Sequence, residues 1–150
     1  MTRKILYVDM DNVLVDFVSA FSRISEPVLQ EFEGRRDDIP GIFGLMDPLP
    51  DAIDAYHELD SIFDTYILST SPWENPTALT DKLAWVKQHL GKCARKRLIL
   101  SHHKNLNRGD FLIDDRPNNG AEQFTGELIR FGSEEFPDWS VVLPYLRARK

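Results

Sequence analysis

The chain has a single cysteine, Cys93, so no internal disulfide can form. That suits a reducing compartment, and a cytoplasmic location is expected. No stretch approaches the roughly 18 apolar residues that mark a membrane span, so no membrane partner is expected. The apolar run Ile5 to Val8 is too short for a signal-peptide core and is followed at once by acids. There is no low-complexity tract and no internal repeat. Positive charge is in deficit: 18 Lys and Arg stand against 24 Asp and Glu, for a formal net charge of -6. That balance argues against a nucleic-acid polymer as partner. A phosphate ester would need local cations to overcome the global repulsion.

What is present suits one soluble domain. The 150 residues are 42% hydrophobic, enough for a buried core. Ile5-Leu6-Tyr7-Val8 reads as a buried strand of a parallel sheet, apolar on both faces and ending at Asp9. Runs at 64–69, 97–101 and 110–114 have the same form, with a weaker one at 127–131. Helical patterns lie between them. Asp51 is a candidate cap for a helix carrying Ile53, Tyr56 and Leu59. Asn75-Pro76 reads as a cap and first-turn proline before Leu79, Leu83, Val86 and Leu90, with Gly91 as a stop. Trp139, Val142 and Leu143 suggest a last helix that Pro144 should break or kink. Strands alternating with helices predict an α/β fold, a Rossmann-like, mainly parallel sheet flanked by helices.

Residues 16–50 interrupt the alternation. They contain Phe17, Phe21, Phe32 and Phe43, with glycines at 34, 41 and 44. Asp16 is a candidate cap for a helix to about Gln30. The segment reads as a small helical insertion after the first strand, within a single domain spanning 1–150.

In an open α/β sheet, ligands bind outside the carboxyl ends of the strands. Four strand ends offer a coherent set: Asp9 and Asp11; Ser69-Thr70-Ser71; Lys104; and Asp114-Asp115. Each alone is commonplace, since acid pairs cap helices and Ser-Thr-Ser before Pro72 makes a turn. Together they supply a nucleophile, hydroxyls, a cation and further acids. Crowded carboxylates repel and raise each other's pKa unless a cation intervenes. Mg²⁺ takes hard oxygen ligands and would neutralise both acids and phosphate. A carboxylate can then attack phosphorus. Two adjacent histidines, His102 and His103, point apart on an extended segment and are not expected to hold a metal. His102 is a candidate substrate contact instead. The basic cluster from Lys92 to Arg97 is expected to complement a helix end and solvent, and Arg116 to pair with neighbouring acids.

The run VDMDNVLVDF resembles the first motif of the haloacid dehalogenase superfamily of phosphatases. Leu68-Ser69-Thr70 resembles the second motif, Lys104 the third and Leu112-Ile113-Asp114-Asp115 the fourth. More closely, the chain is similar to the 5'(3')-deoxyribonucleotidases of that superfamily, through 47–50 (DPLP), 69–72 (STSP), 81–86 (DKLAWV), 112–117 (LIDDRP) and 139–143 (WSVVL).

The resemblance implies a Mg²⁺-dependent phosphomonoesterase acting on nucleoside monophosphates, preferably deoxyribonucleotides, as a monomer or homodimer. Asp9 would be nucleophile and metal ligand. Asp11 would be general acid and then base, its backbone carbonyl also meeting the metal. Asp114 would complete the metal site, with Asp115 behind it. Thr70, Ser71, Lys82 and Lys104 would hold phosphate. The insertion would cap the site, with Phe17, Phe43 and Trp73 against the base. Two features depart from the family pattern: Asn12 stands where glycine is common, and no tryptophan lies between Asp16 and Pro50. Another small phosphomonoester is the alternative substrate. A phospho-accepting signalling module would use similar residues, but its acidic pair would precede the phosphorylated aspartate; here Asp114-Asp115 comes last.

Overall fold

The computed structural model describes residues 2–150. The apolar runs become β1 (Ile5–Val8), β4 (Asp64–Ser69), β5 (Leu98–Leu100), β6 (Phe111–Asp114) and β7 (Glu127–Arg130). They form one sheet in the order β5-β4-β1-β6-β7, with every pair parallel. Strands covered on both faces need apolar side chains on both, and Leu6, Val8, Ile67, Leu68, Leu112 and Ile113 are all fully buried. After β1 the chain builds outward through β4 and β5, then returns to the other side of β1 for β6 and β7. The resulting switch point opens a crevice at the carboxyl ends of β1, β4 and β6. The helices α2 (Ala52–Ile62), α3 (Ala78–His89) and α4 (Trp139–Arg147) accompany the sheet.

The insertion leaves and returns through a two-stranded antiparallel ribbon, β2 (Val15–Asp16) with β3 (Asp47–Pro48). Its interior joins the main core through Leu29, Ile39, Ile42, Phe43 and Met46. It is tied to the α3 side by polar bonds. Asn75 donates to the carbonyls of Asp37 (2.8 Å) and Ile39 (3.0 Å), and Trp85 donates to Met46 O (2.9 Å).

Several local expectations are corrected. No helix runs from Asp16 to Gln30: a 3-10 segment, Phe17–Arg23, gives way to the short α1 (Glu26–Glu31). Pro27 explains the break, since it has no N–H to continue a helix but fits a first turn. Neither Asp16 nor Asp51 makes a side-chain cap bond, and Asp51 is left-handed at φ 67°. The cap of α3 is Thr77, because the Asn75 side chain accepts from Thr77 N at 3.0 Å and forms a turn before the helix. α4 continues through Pro144. The carbonyl left without its proline partner belongs to Ser140, which is exposed to water. Of the expected stripe of α3, Val86 and Leu90 are buried but Leu79 and Leu83 are 61% and 43% exposed, and the helix turns Ala78, Lys82 and Trp85 inward as well.

Candidate active site

Asp9 continues β1, its N–H donating to Ile113 O at 2.9 Å. The chain then turns sharply at Asn12, which is left-handed at φ 61°. Asparagine tolerates this region better than most residues, so the turn survives the departure from glycine. The Phe17 N–H donates to Asn12 Oδ1 (3.4 Å). From beneath, Trp139 donates to Val13 O at 2.9 Å, so the tail helix braces the same loop.

Lys104 follows β5 and reaches across the switch point. Its ammonium donates to Asp9 Oδ1 at 3.0 Å and Asp114 Oδ2 at 2.6 Å. All three residues are buried. Asp114 Oδ1 also accepts from Arg116 N (3.1 Å). Burial pushes the Asp9 carboxyl up to about 7, against the opposing pull of Lys104 and with added repulsion from Asp114 and Asp11. Burial likewise raises Asp114, again against Lys104, and takes Asp115 to about 6, with Asp9 adding to it. Burial works against the charge on Lys104, but the carboxylates of Asp9 and Asp114 outweigh it and raise its pKa.

Asp9, Asp114 and Asp115 each bring a carboxylate oxygen within 4.8 Å of the others. Hard oxygen donors this close, destabilised as anions by burial, fit a divalent cation of the Mg²⁺ type. Asp115 thus stands in the trio rather than behind it. The Asp11 carboxylate lies outside the trio.

A small polar depression of about 20 Å³ is lined by Asp9, Asp11, Thr70, Lys104 and Asp114, together with Arg116, Asn118 and Asn119. It shares Asp11, Thr70, Arg116, Asn118 and Asn119 with a larger cleft of about 590 Å³. Phe17, Trp73, His102 and the insertion residues Arg36, Asp37 and Asp38 line the rest of that cleft. A larger cavity, about 770 Å³, lies between α3 and β5; aliphatic side chains and the cations Lys87, Lys92, Arg95 and Lys96 line it, with no carboxylate, hydroxyl or thiol. The expected acids and Lys104 therefore gather at the depression that opens into the cleft, and not at this cavity.

The expected phosphate ligands separate. Thr70 lines the depression, although its hydroxyl donates to Ser101 O (2.8 Å). Ser71 lines a neighbouring cavity with Pro72, Trp73 and Leu79. Lys82 is buried below the site and lines neither space. Of the aromatic rings, Phe17 and Trp73 reach the cleft, whereas Phe43 is 2% exposed. Phe43 is core, and its ring lies 4.5 Å from Lys82 Nζ instead of facing a ligand. Arg116 is corrected too: its side chain makes no ion pair among the described residues and lines both depression and cleft. Asn118 and Asn119 were not anticipated. Their signal was the turn-forming run Pro117-Asn118-Asn119-Gly120 just beyond a strand end.

Residues 35–136 match the family described as 5' nucleotidase, deoxy (pyrimidine), cytosolic type C protein. A putative 5'(3')-deoxyribonucleotidase of Vibrio phage KVP40 is 56% identical over 144 residues, covering 96% of this chain and 85% of that protein. The chain belongs to the 5'(3')-deoxyribonucleotidase family. Members are hydrolases of phosphoric monoesters. The human cytosolic 5'(3')-deoxyribonucleotidase is 31% identical over 165 residues, covering 91% of this chain and 77% of the human one. A putative haloacid dehalogenase-like hydrolase from Burkholderia xenovorans shares the fold at a TM-score of 0.56 and 14% identity, over 95% of this chain and 88% of that one. No helix among the described residues is long and apolar enough to cross a membrane.

Proposed function

We propose that this chain hydrolyses nucleoside monophosphates, preferably deoxyribonucleotides, through a phosphoryl group carried on Asp9. The observation behind the proposal is the Asp9–Lys104–Asp114 cluster beside Asp11, in a depression that opens into a cleft flanked by Phe17 and Trp73. The Asp9 carboxylate attacks phosphorus as the bond to the leaving oxygen breaks, and Asp11 gives that oxygen a proton. Asp11, now a carboxylate, takes a proton from the water that attacks the aspartyl-phosphate, releasing phosphate and restoring Asp9. The Lys104 ammonium meets charge on the transferring oxygens. Arg116 and Asn119 are further donors toward phosphate. Mg²⁺, held by Asp9, Asp114 and Asp115 with the Asp11 carbonyl, would neutralise acids and phosphate and polarise the phosphoryl group. Phe17 and Trp73 supply faces for the base, which stacking accepts with little sequence preference.

A second reading, a different small phosphomonoester, is favoured by the polar lining that Arg36, Asp37, Asp38 and Glu74 give the outer cleft. Purified protein with Mg²⁺ is assayed on deoxyribo- and ribonucleoside 5'- and 3'-monophosphates and on sugar and amino-acid phosphates. Turnover led by deoxyribonucleotides supports the first reading. Activity confined to the simple phosphates supports the second.

A further inference from the structure

Lys82 projects from α3 into the interior and is 0% exposed. An ammonium has three N–H donors, and Lys82 commits all of them: to Asp11 Oδ2 (3.2 Å), Ser69 Oγ (2.7 Å) and Thr70 O (2.8 Å). The Phe43 ring adds a further contact, 4.5 Å from Nζ. No donor is left for a phosphate. Asp11, by contrast, lines both the depression and the cleft. Among the described residues, Lys82 is the only donor to its carboxylate, whose Oδ1 is buried without a partner.

We propose that Lys82 is a positioning residue that holds the Asp11 carboxylate in place for the leaving-group oxygen, and is not a phosphate ligand. This rests on the phosphatase reading above. Its bonds to Ser69 and Thr70 O fix the acid relative to the strand end that borders the phosphate. The insertion takes part as well. Phe43 comes from it, and Gly41 N donates to Thr77 Oγ1 (2.7 Å), which donates to Asp81 Oδ2 (2.7 Å), one residue before Lys82. Packing of the cap on α3 thereby sets the helix that sets the acid. When the bond from phosphorus to the leaving oxygen breaks, the electron pair stays on that oxygen and the proton comes from Asp11. A displaced Asp11 therefore costs rate in proportion to how badly the leaving oxygen needs a proton.

The test uses Lys82→Met in the full chain with Mg²⁺ and two esters of similar shape, phenyl phosphate and 4-nitrophenyl phosphate. Values of kcat/KM report the first chemical step. For phenyl phosphate kcat/KM should fall by about 10- to 100-fold, the scale of a misplaced acid, and for 4-nitrophenyl phosphate by no more than about threefold. Inhibition by inorganic phosphate should stay within about twofold, because no phosphate contact is removed. Equal losses on both esters, or no loss on either, would overturn the proposal. So would phosphate inhibition weakened by about tenfold, the expected loss of a charged phosphate contact. Wild-type protein inactive on every phosphate ester would instead overturn the phosphatase reading itself, before any variant is made. If Lys82→Met melts too low to assay, Ser69→Ala decides, since it keeps the cation and Asp11 but removes one anchor. Its ratio of the two kcat/KM values should shift in the same direction by about threefold, a hydrogen bond's share; an unchanged ratio would overturn the positioning role.

Discussion

Lys104 and Asp9, 95 residues apart in sequence, meet at 3.0 Å where both are nearly free of solvent. A buried ammonium without acids would be costly, and so would Asp9 and Asp114 without the ammonium. The three groups hold one another at the carboxyl ends of β1 and β6.

Replacing the nucleophile separates chemistry from this structural role. Asp9→Asn keeps an oxygen that can accept from Lys104, while removing a carboxylate that burial holds near pKa 7. Turnover should fall on the order of 10⁴-fold or more, the scale seen when a nucleophile is removed. The melting temperature should not drop. A phosphate-release assay and a thermal melt check both, and activity above about one per cent of wild type would take Asp9 out of the nucleophile's role.

The raised carboxyls also set a pH dependence. Burial raises Asp9 to about 7 and Asp115 to about 6, and raises Asp114 as well. An acid whose folded pKa exceeds its unfolded value binds protons more tightly when folded. It therefore favours folding at low pH, and that advantage is lost as pH rises from the unfolded value, roughly 4, through the folded one. Metal-free protein should then lose this contribution between about pH 4 and pH 7. A divalent cation on the trio should restore stability where the acids are ionised. Melts with Mg²⁺ and with EDTA should show a larger Mg²⁺-induced rise near pH 8 than near pH 5. An equal rise at both would argue that these carboxylates are not the ligands.

The parallel strands and their terminal acids were legible because strands covered on both faces must read as apolar runs, and the switch-point rule says which end binds. Lys82 was legible only as a residue of interest. The stripe of Leu79, Leu83, Val86 and Leu90 suggested the buried face of α3, but only Val86 and Leu90 are buried, and Lys82 turns inward to its three acceptors where Leu79 and Leu83 stay exposed. Nor does residue type separate Phe17 from Phe43. Only the packing of the insertion on α3 puts one ring at the cleft and the other in the core. The small set of donors from Arg116 to Asn119 lay in a stretch whose sequence announces only a turn.

A glycine away from the chemistry tests the packing of the sheet edge. A Cβ on Gly126 would lie 2.5 Å from Asp110 O, 2.6 Å from Gly109 O and 2.7 Å from the Phe124 ring. The carbonyls belong to the backbone leading into β6, so little can give. Gly126→Ala should cost about 1–3 kcal/mol, the usual range for overpacking, or roughly 2–12 °C in melting temperature at this chain length. The folded fraction should keep its kcat. An unchanged melt would mean that the β6–β7 entry is more pliable than these contacts imply.

Base recognition is tested at Trp73, which is 84% exposed and touches the His102 ring edge-on, with centroids 5.8 Å apart. So exposed a ring adds little to the core, and Trp73→Ala should leave the melt nearly unchanged. Phe17 is less clean, because it packs edge-on against Phe21 at 5.6 Å, and Phe17→Ala should also lower stability. Stacking on an aromatic face is worth about 1–3 kcal/mol per base. Losing Trp73 should therefore raise KM for deoxyribonucleoside monophosphates by about 5- to 150-fold while kcat changes little. Deoxyribose 5-phosphate has the phosphate and the sugar but no base, so its kcat/KM should not move. A loss shared equally by both substrates would mean that Trp73 shapes the phosphate end of the cleft. No loss on either would place the base elsewhere, against Phe17 or the polar wall of Arg36, Asp37 and Asp38.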